Sequence, residues 1–337
     1  MPTRLFALLA AVALLAPLPA AADEDAGLVP LDSLFTDGSA DPSYTYAVQL
    51  DNFVHDVFRV VRDTAYTEKK RRPKTAPTQK DKLRQKLVAD GHPFTADGFT
   101  ATAQTCDVNT LLDYVQAGMD VNTYNALRQT ALMLAVAADK IDCVQTLIAY
   151  GAKIDLKNSR GETPLMIAVD TNRLHMAAFL MDAGASLNER NADGWSALHY
   201  AVHKGNMEAT AMLLMRGADI NVMNRTGYTP LMQAAFNGQT EMVKFLLKLG
   251  AKQTYRDLNG NSALLVAVTY NQYGPTKALL QAGANAEDEN NRGWRAMDIA
   301  LENKFMDIAN VLYAYGAQAP GTKPPVSLDA IKRATMR

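Results

Sequence analysis

The apolar positions of this chain repeat on two nested periods. Through its middle two thirds a leucine and an alanine three residues apart, Leu132 and Ala135, recur as Leu165 and Ala168, Leu198 and Ala201, Leu231 and Ala234, and Leu264 and Ala267. Each pair fits the packed side of a short helix, with a bulky residue beside a small one that lets a neighbour approach. A second apolar group follows at helical spacing: Val144, Leu147 and Ile148; Met176, Phe179 and Leu180; Met212, Leu213 and Leu214; Val243, Phe245, Leu246 and Leu247; Leu279 and Leu280. Each group closes at a glycine, and Gly118, Gly151, Gly184, Gly217, Gly250, Gly283 and Gly316 stand 33 residues apart, all but the first followed by Ala. Glycine just past the last helical residue suits a left-handed helix stop. Two helices per unit, stacked as a repeat array, are the prediction.

The starts of the units agree with their ends. T-A-L-M at Thr130, T-P-L-M at Thr163, S-A-L-H at Ser196, T-P-L-M at Thr229 and S-A-L-L at Ser262 place a hydroxyl where it caps the first helix, and Pro164 and Pro230 fall at the first helical position. Asn158, Asn191, Asn224 and Asp257, each followed by Gly161, Gly194, Gly227 or Gly260, predict hairpin fingers between units. Arg128 stands where the others have Gly, so that finger is expected to depart from the rest.

Period, turn motif and helix-ending glycine together make the chain resemble the ankyrin repeat, whose consensus turn is T-P-L-H-x-A. The resemblance implies an all-α ankyrin repeat solenoid, with a concave face of fingers and first helices that contacts protein partners. It covers residues 94–317, about seven repeats. The first is degenerate: Asp97-Gly98 replaces Thr-Pro and Phe99 replaces Leu, while Val108, Leu111, Leu112, Val115 and the exit at Gly118 to Asn122 persist. The seventh keeps Gly293, Met297, Ala300 and Gly316 but has Arg295 at the cap, and is expected to close the array.

The flanks read differently. Arg4, the apolar run Leu5 to Ala16 and the small residues Ala20 to Ala22 form a signal peptide over residues 1–22, of a style that points to the periplasm of a Gram-negative cell. Residues 23–93 form an N-terminal extension. Within it Leu50, Phe53, Val54, Val57, Phe58 and Val61 predict an amphipathic helix over 46–66, read as an N-terminal helical cap on the repeat stack. Residues 67–86 are strongly basic and contain Pro73 and Pro77, so a link is expected there, with weak contact to anionic envelope lipids as the alternative role. Leu83, Leu87 and Val88 predict a short helix ending at Gly91. The tail, 318–337, is basic and Pro-rich, and Ser327 begins a segment that suits a short helix.

Charge adds little, since the formal net charge is -1, with no pull toward nucleic acid. The two cysteines, Cys106 and Cys143, would meet an oxidising compartment after export. Stacked helices lie about 10 Å apart, long for a disulfide, so a buried thiol at Cys143 is the expectation and a bond the alternative. Catalytic signatures such as G-x-S-x-G, H-E-x-x-H and C-x-x-C do not occur. His199 and His203 have a metal-compatible spacing of four, but His199 fills the turn-motif histidine slot, whose role is structural. Neither cofactor nor metal is predicted, and the methionines read as core.

The repeat pattern leaves one set of large residues unexplained. Trp195, Tyr228 and Trp294 occupy the slot just before the helix cap, Arg190 and Arg256 share the finger-entry position with Arg225 close by, and His203, Phe236 and Tyr270 lie near the ends of first helices. Trp, Tyr and Arg dominate binding hot spots. The reading is therefore a monomeric, non-catalytic protein-binding module of the periplasm that supports an envelope or oxidative-stress enzyme. The alternative is an immunity protein that neutralises a toxin delivered there.

Overall fold

A computed structural model describes residues 77–318. The signal peptide, the amphipathic segment 46–66, the basic residues Lys69 to Lys74 and the tail 319–337 lie outside the described residues. Within them are fifteen helices and no named strand. A leading helix, α1 (Pro77–Ala89), precedes seven helix pairs: α2 (Ala96–Thr105) with α3 (Val108–Gln116), α4 (Ala131–Ala137) with α5 (Ile141–Ala149), α6 (Pro164–Asp170) with α7 (Leu174–Asp182), α8 (Ala197–His203) with α9 (Met207–Met215), α10 (Pro230–Phe236) with α11 (Thr240–Lys248), α12 (Ala263–Thr269) with α13 (Tyr273–Gln281), and α14 (Ala296–Glu302) with α15 (Met306–Ala314). Each first helix packs on its own second helix and on the first helices of adjoining units, the layout of a one-dimensional solenoid.

Local chemistry explains why the helices begin where they do. The hydroxyls of Thr130, Thr163, Thr229 and Ser262 accept from the backbone N–H three residues on, at 3.3, 3.4, 3.3 and 3.4 Å. Arg295 offers no such oxygen, and the cap is supplied by Asp298 instead, which accepts from the Arg295 N–H at 3.0 Å and is gripped by the guanidinium at 3.2 and 3.1 Å. The leucine and alanine of each first helix, with the apolar face of each second helix, form one continuous core.

The fingers are built by a side chain imitating a turn. Asn125, Asn158, Asn191, Asn224, Asp257 and Asn290 each accept through Oδ1 from the N–H groups two and four residues on. Successive fingers are then stitched by backbone bonds: Ala192 to Arg160 at 2.9 Å, Arg225 to Asp193 at 3.0 Å, Leu258 to Thr226 at 3.1 Å and Asn291 to Asn259 at 2.9 Å. The expected departure at Arg128 is real but confined. Arg128 adopts φ 56°, so its own turn closes, with its N–H on Asn125 O at 2.9 Å. The matching stitch from Ser159 to Leu127 is missing. A Cβ placed at Gly194 would sit 2.5 Å from the Arg225 nitrogen, and the Cβ of Arg128 fills the equivalent space.

Two expectations are corrected. Cys106 and Cys143 form a disulfide, with Cα atoms 5.6 Å apart. The 10 Å estimate separates helix axes, whereas Cys106 is off axis, in the left-handed residue that ends α2, and Cys143 lies in the first turns of α5. The second half of the basic stretch is helix α1 rather than a link. Its Arg84 donates to Ala117 O at 3.1 Å and lies over the Phe94 ring, and Lys86 pairs with Asp113 at 2.7 Å, so these charges fasten α1 to α3.

The candidate binding groove

Six residues share the slot before the helix cap, and the structure treats them differently. Glu162, Tyr228, Asn261 and Trp294 are buried, with Tyr228 7% and Trp294 5% exposed as members of the core. Gln129 and Trp195 remain partly exposed. Of the three aromatic residues in this slot, Trp195 alone keeps part of its surface open. The difference lies five residues on: Trp195 meets the Tyr200 ring at 5.4 Å, where the other two units carry Gln233 and Ile299.

Trp195 organises one aromatic cluster. Its ring stands edge-on to His203 at 5.2 Å and 6.0 Å from His199. His203 is exposed, and its ring nitrogen lies near the Gln233 and Asn237 amides of the next unit at 3.4 and 3.5 Å. Beneath it the floor is polar and fully bonded. The Tyr200 hydroxyl donates to Glu162 Oε1 at 2.8 Å, while Asn158 and Arg160 donate to Glu162 Oε2 at 2.8 and 3.0 Å. Burial and the neighbouring Glu162 carboxylate raise the Tyr200 hydroxyl well above its ordinary range, so it stays a donor.

A second cluster lies one unit on. Phe236 stands edge-on to Tyr270 at 4.4 Å and to the buried Tyr228 at 6.4 Å. Trp294, two units beyond Tyr228, joins neither cluster. The finger-entry arginines turn back on their own fingers. Arg190 donates to Gly194 O at 3.2 Å, and Arg256 bonds Gly260 O at 3.5 Å and pairs with Asp288 at 2.8 Å. Arg225 is exposed at the fingertip beside Gly194.

His199 is explained by packing. The Ser196 N–H donates to its Nδ1 at 3.2 Å, which leaves the proton on Nε2, placed 3.0 Å from the Tyr228 carbonyl of the next unit. Burial lowers its pKa to about 4, so it is neutral. Sequence reasoning missed Tyr200 and Glu162, the pair that supports Trp195; the signal was a glutamate in a slot otherwise filled by neutral residues, 38 residues before a tyrosine.

Stacked two-helix units joined by side-chain-built fingers define a helical repeat solenoid. Comparison with known proteins gives the family. A model of ankyrin repeats in three copies matches residues 100–191 and 179–257. The ankyrin repeat domain of Bcl-3, a member of the IkappaB protein family, superposes with a TM-score of 0.58 at 28% identity, over 63% of this chain and 97% of that one. An ankyrin repeat domain from Acinetobacter baumannii AYE matches with a TM-score of 0.52 at 31% identity, over 56% of this chain and 98% of that one. No curated protein matches the sequence. The chain belongs to the ankyrin repeat family, whose arrays generally mediate protein–protein interaction.

Proposed function

We propose that this protein is a non-catalytic, monomeric binding module that captures a partner protein on the groove around Trp195 and His203, with Phe236, Tyr270 and Arg225 extending the contact. The observation that carries this is the placement of Trp195. A large ring is held partly in solvent by Tyr200 and His203 on a bonded floor, so little ordering cost falls on binding. Tyr228 and Trp294 serve as support beneath the surface, and Arg190 and Arg256 hold finger shape.

The setting we propose is the periplasm, reached through the signal peptide. A disulfide in a chain with only two cysteines suits an oxidising compartment. The partner in this reading is an envelope or oxidative-stress enzyme that the module supports. Since Arg84 and Lys86 are bonded within the chain, contact with anionic lipid falls to Lys69, Lys70, Arg71, Arg72 and Lys74.

A photo-crosslinking residue placed at the exposed Lys204, next to His203, should trap the partner in cells, while the same residue at Glu208, at the start of α9, should trap nothing specific. Equal trapping at both positions would refute the groove. A trapped toxin in place of an enzyme would turn the function to immunity.

A further inference from the structure

The fingers around Trp195 hold more open donors than open acceptors. Lys157 pairs with Glu189 at 2.7 Å, Arg160 with Glu162 at 2.8 Å, and Lys204, just past α8, with Asp170 at 3.1 Å. Those charges are matched within the chain. Arg190 and Arg225 are exposed, and among the described residues neither has a carboxylate within ion-pair distance. Arg190 commits its Nε to Gly194 O at 3.2 Å, and Arg225 meets the preceding finger through its backbone N–H, on Asp193 O at 3.0 Å. Guanidinium groups donate and never accept, so the two arginines offer their remaining N–H groups to an acceptor from outside.

The two arginines come together beside Trp195. A Cβ built on Gly194, the residue before Trp195, would lie 2.9 Å from Arg190 Nη2 and 2.5 Å from the Arg225 nitrogen. The Arg190 charge is felt at His199, whose ring lies 6.0 Å from that of Trp195: burial first, and then that charge, lower the imidazole pKa. Two acids stand nearby. Asp257 in the next finger is buried and accepts from the N–H groups of Asn259 and Asn261, each at 2.8 Å, and from the Asn261 amide at 3.0 Å. Asp193 is exposed, and sets one open carboxylate against two open guanidinium groups.

Resting on the groove reading above, we propose that the partner seats an acidic segment here, its carboxylates taken by Arg190 and Arg225 while an apolar side chain meets the Trp195 ring. Carboxylates fit the planar fork of arginine and make stronger bonds to it than neutral carbonyls do.

Random peptides displayed on phage, selected on the full chain and on its Trp195→Ala variant, test this. The peptides that the wild type retains and Trp195→Ala does not should be enriched in Asp and Glu. The tightest of them should lose roughly tenfold in affinity on Arg225→Glu, less on Arg225→Gln, and should weaken as salt rises. Because the Arg225 side chain makes no bond within the chain, both variants should keep the wild-type melt. Replacing the acids of that peptide by Lys should restore binding to Arg225→Glu. A Trp195-dependent pool with no acidic enrichment overturns the acidic segment and leaves the groove standing. So does equal affinity for wild type and Arg225→Glu, or an equal loss with Gln and Glu, which would make the contact one of shape. A pool that Trp195→Ala holds equally well overturns the groove itself and the acidic segment with it.

Discussion

The Tyr200 hydroxyl donates to Glu162 Oε1 at 2.8 Å across a unit boundary, joining the floor of the groove to the finger of the preceding unit. Glu162 is buried, and its other oxygen is held by Asn158 and Arg160. Removing the hydroxyl while keeping the ring leaves Oε1 short of its donor. Tyr200→Phe should therefore cost about 1–3 kcal/mol in urea unfolding while leaving the aromatic packing on Trp195 in place. Wild-type stability in that variant would show that the bond is not maintained in solution.

Arg128 supplies a prediction of opposite sign. Its left-handed backbone costs about 1–2 kcal/mol for a residue with a Cβ, and glycine returns part of that, about 0.4–1 kcal/mol, to the unfolded chain. Arg128→Gly should stabilise the protein by roughly 0.5–1 kcal/mol and slow exchange at the Ser159 amide as the missing finger stitch forms. Destabilisation would mean that the Arg128 contact with the Tyr124 ring, 5.4 Å away, outweighs the backbone cost.

His199 makes stability depend on pH. Its pKa is about 4 when folded, against an ordinary value of 6.5. Between those values the unfolded chain binds the proton and the folded one does not, so stability is fully present above pH 6.5 and is lost as pH falls toward 4. The loss attributable to this ring is of order 3 kcal/mol. Urea unfolding of the wild type and His199→Gln at pH 7, 5 and 4 should show the steeper decline only with histidine present. Parallel declines would contradict a buried neutral imidazole.

The disulfide joins two units across 37 residues of chain. Replacing Cys106 and Cys143 by Ala should cost about 3–4 kcal/mol, seen as early unfolding of α1 to α5, with the later units retaining their melt. Unchanged stability would mean that the bridge closes a segment already ordered without it.

The fold was legible because a 33-residue period is a property of the sequence itself, and each unit repeats the same cap, core pair and helix stop. The candidate site was less so. Trp195, Tyr228 and Trp294 hold one sequence slot, and whether that slot faces water depends on the residue five positions on and on the adjoining unit. Tyr200 lies under Trp195 and leaves it at the surface, while Tyr228 is covered beside Phe236. The arginines are ambiguous in sequence for a related reason: charge at a finger suggests recognition, while Arg190 and Arg256 each also give a donor to their own finger, on the carbonyls of Gly194 and Gly260. The disulfide was hidden by reasoning from helix axes about residues that end or begin helices.

The measurement that bears most directly on the account is affinity capture from periplasmic extract with three baits: the wild type, a Trp195→Ala, His203→Ala variant, and a Glu208→Ala control. Both variants should keep the wild-type helical signal and melt. One protein should be held by the wild type and the control and lost by the groove variant, at least tenfold in bound fraction, as befits a hot-spot tryptophan. Equal retention by all three folded baits would contradict a binding groove at Trp195 and His203.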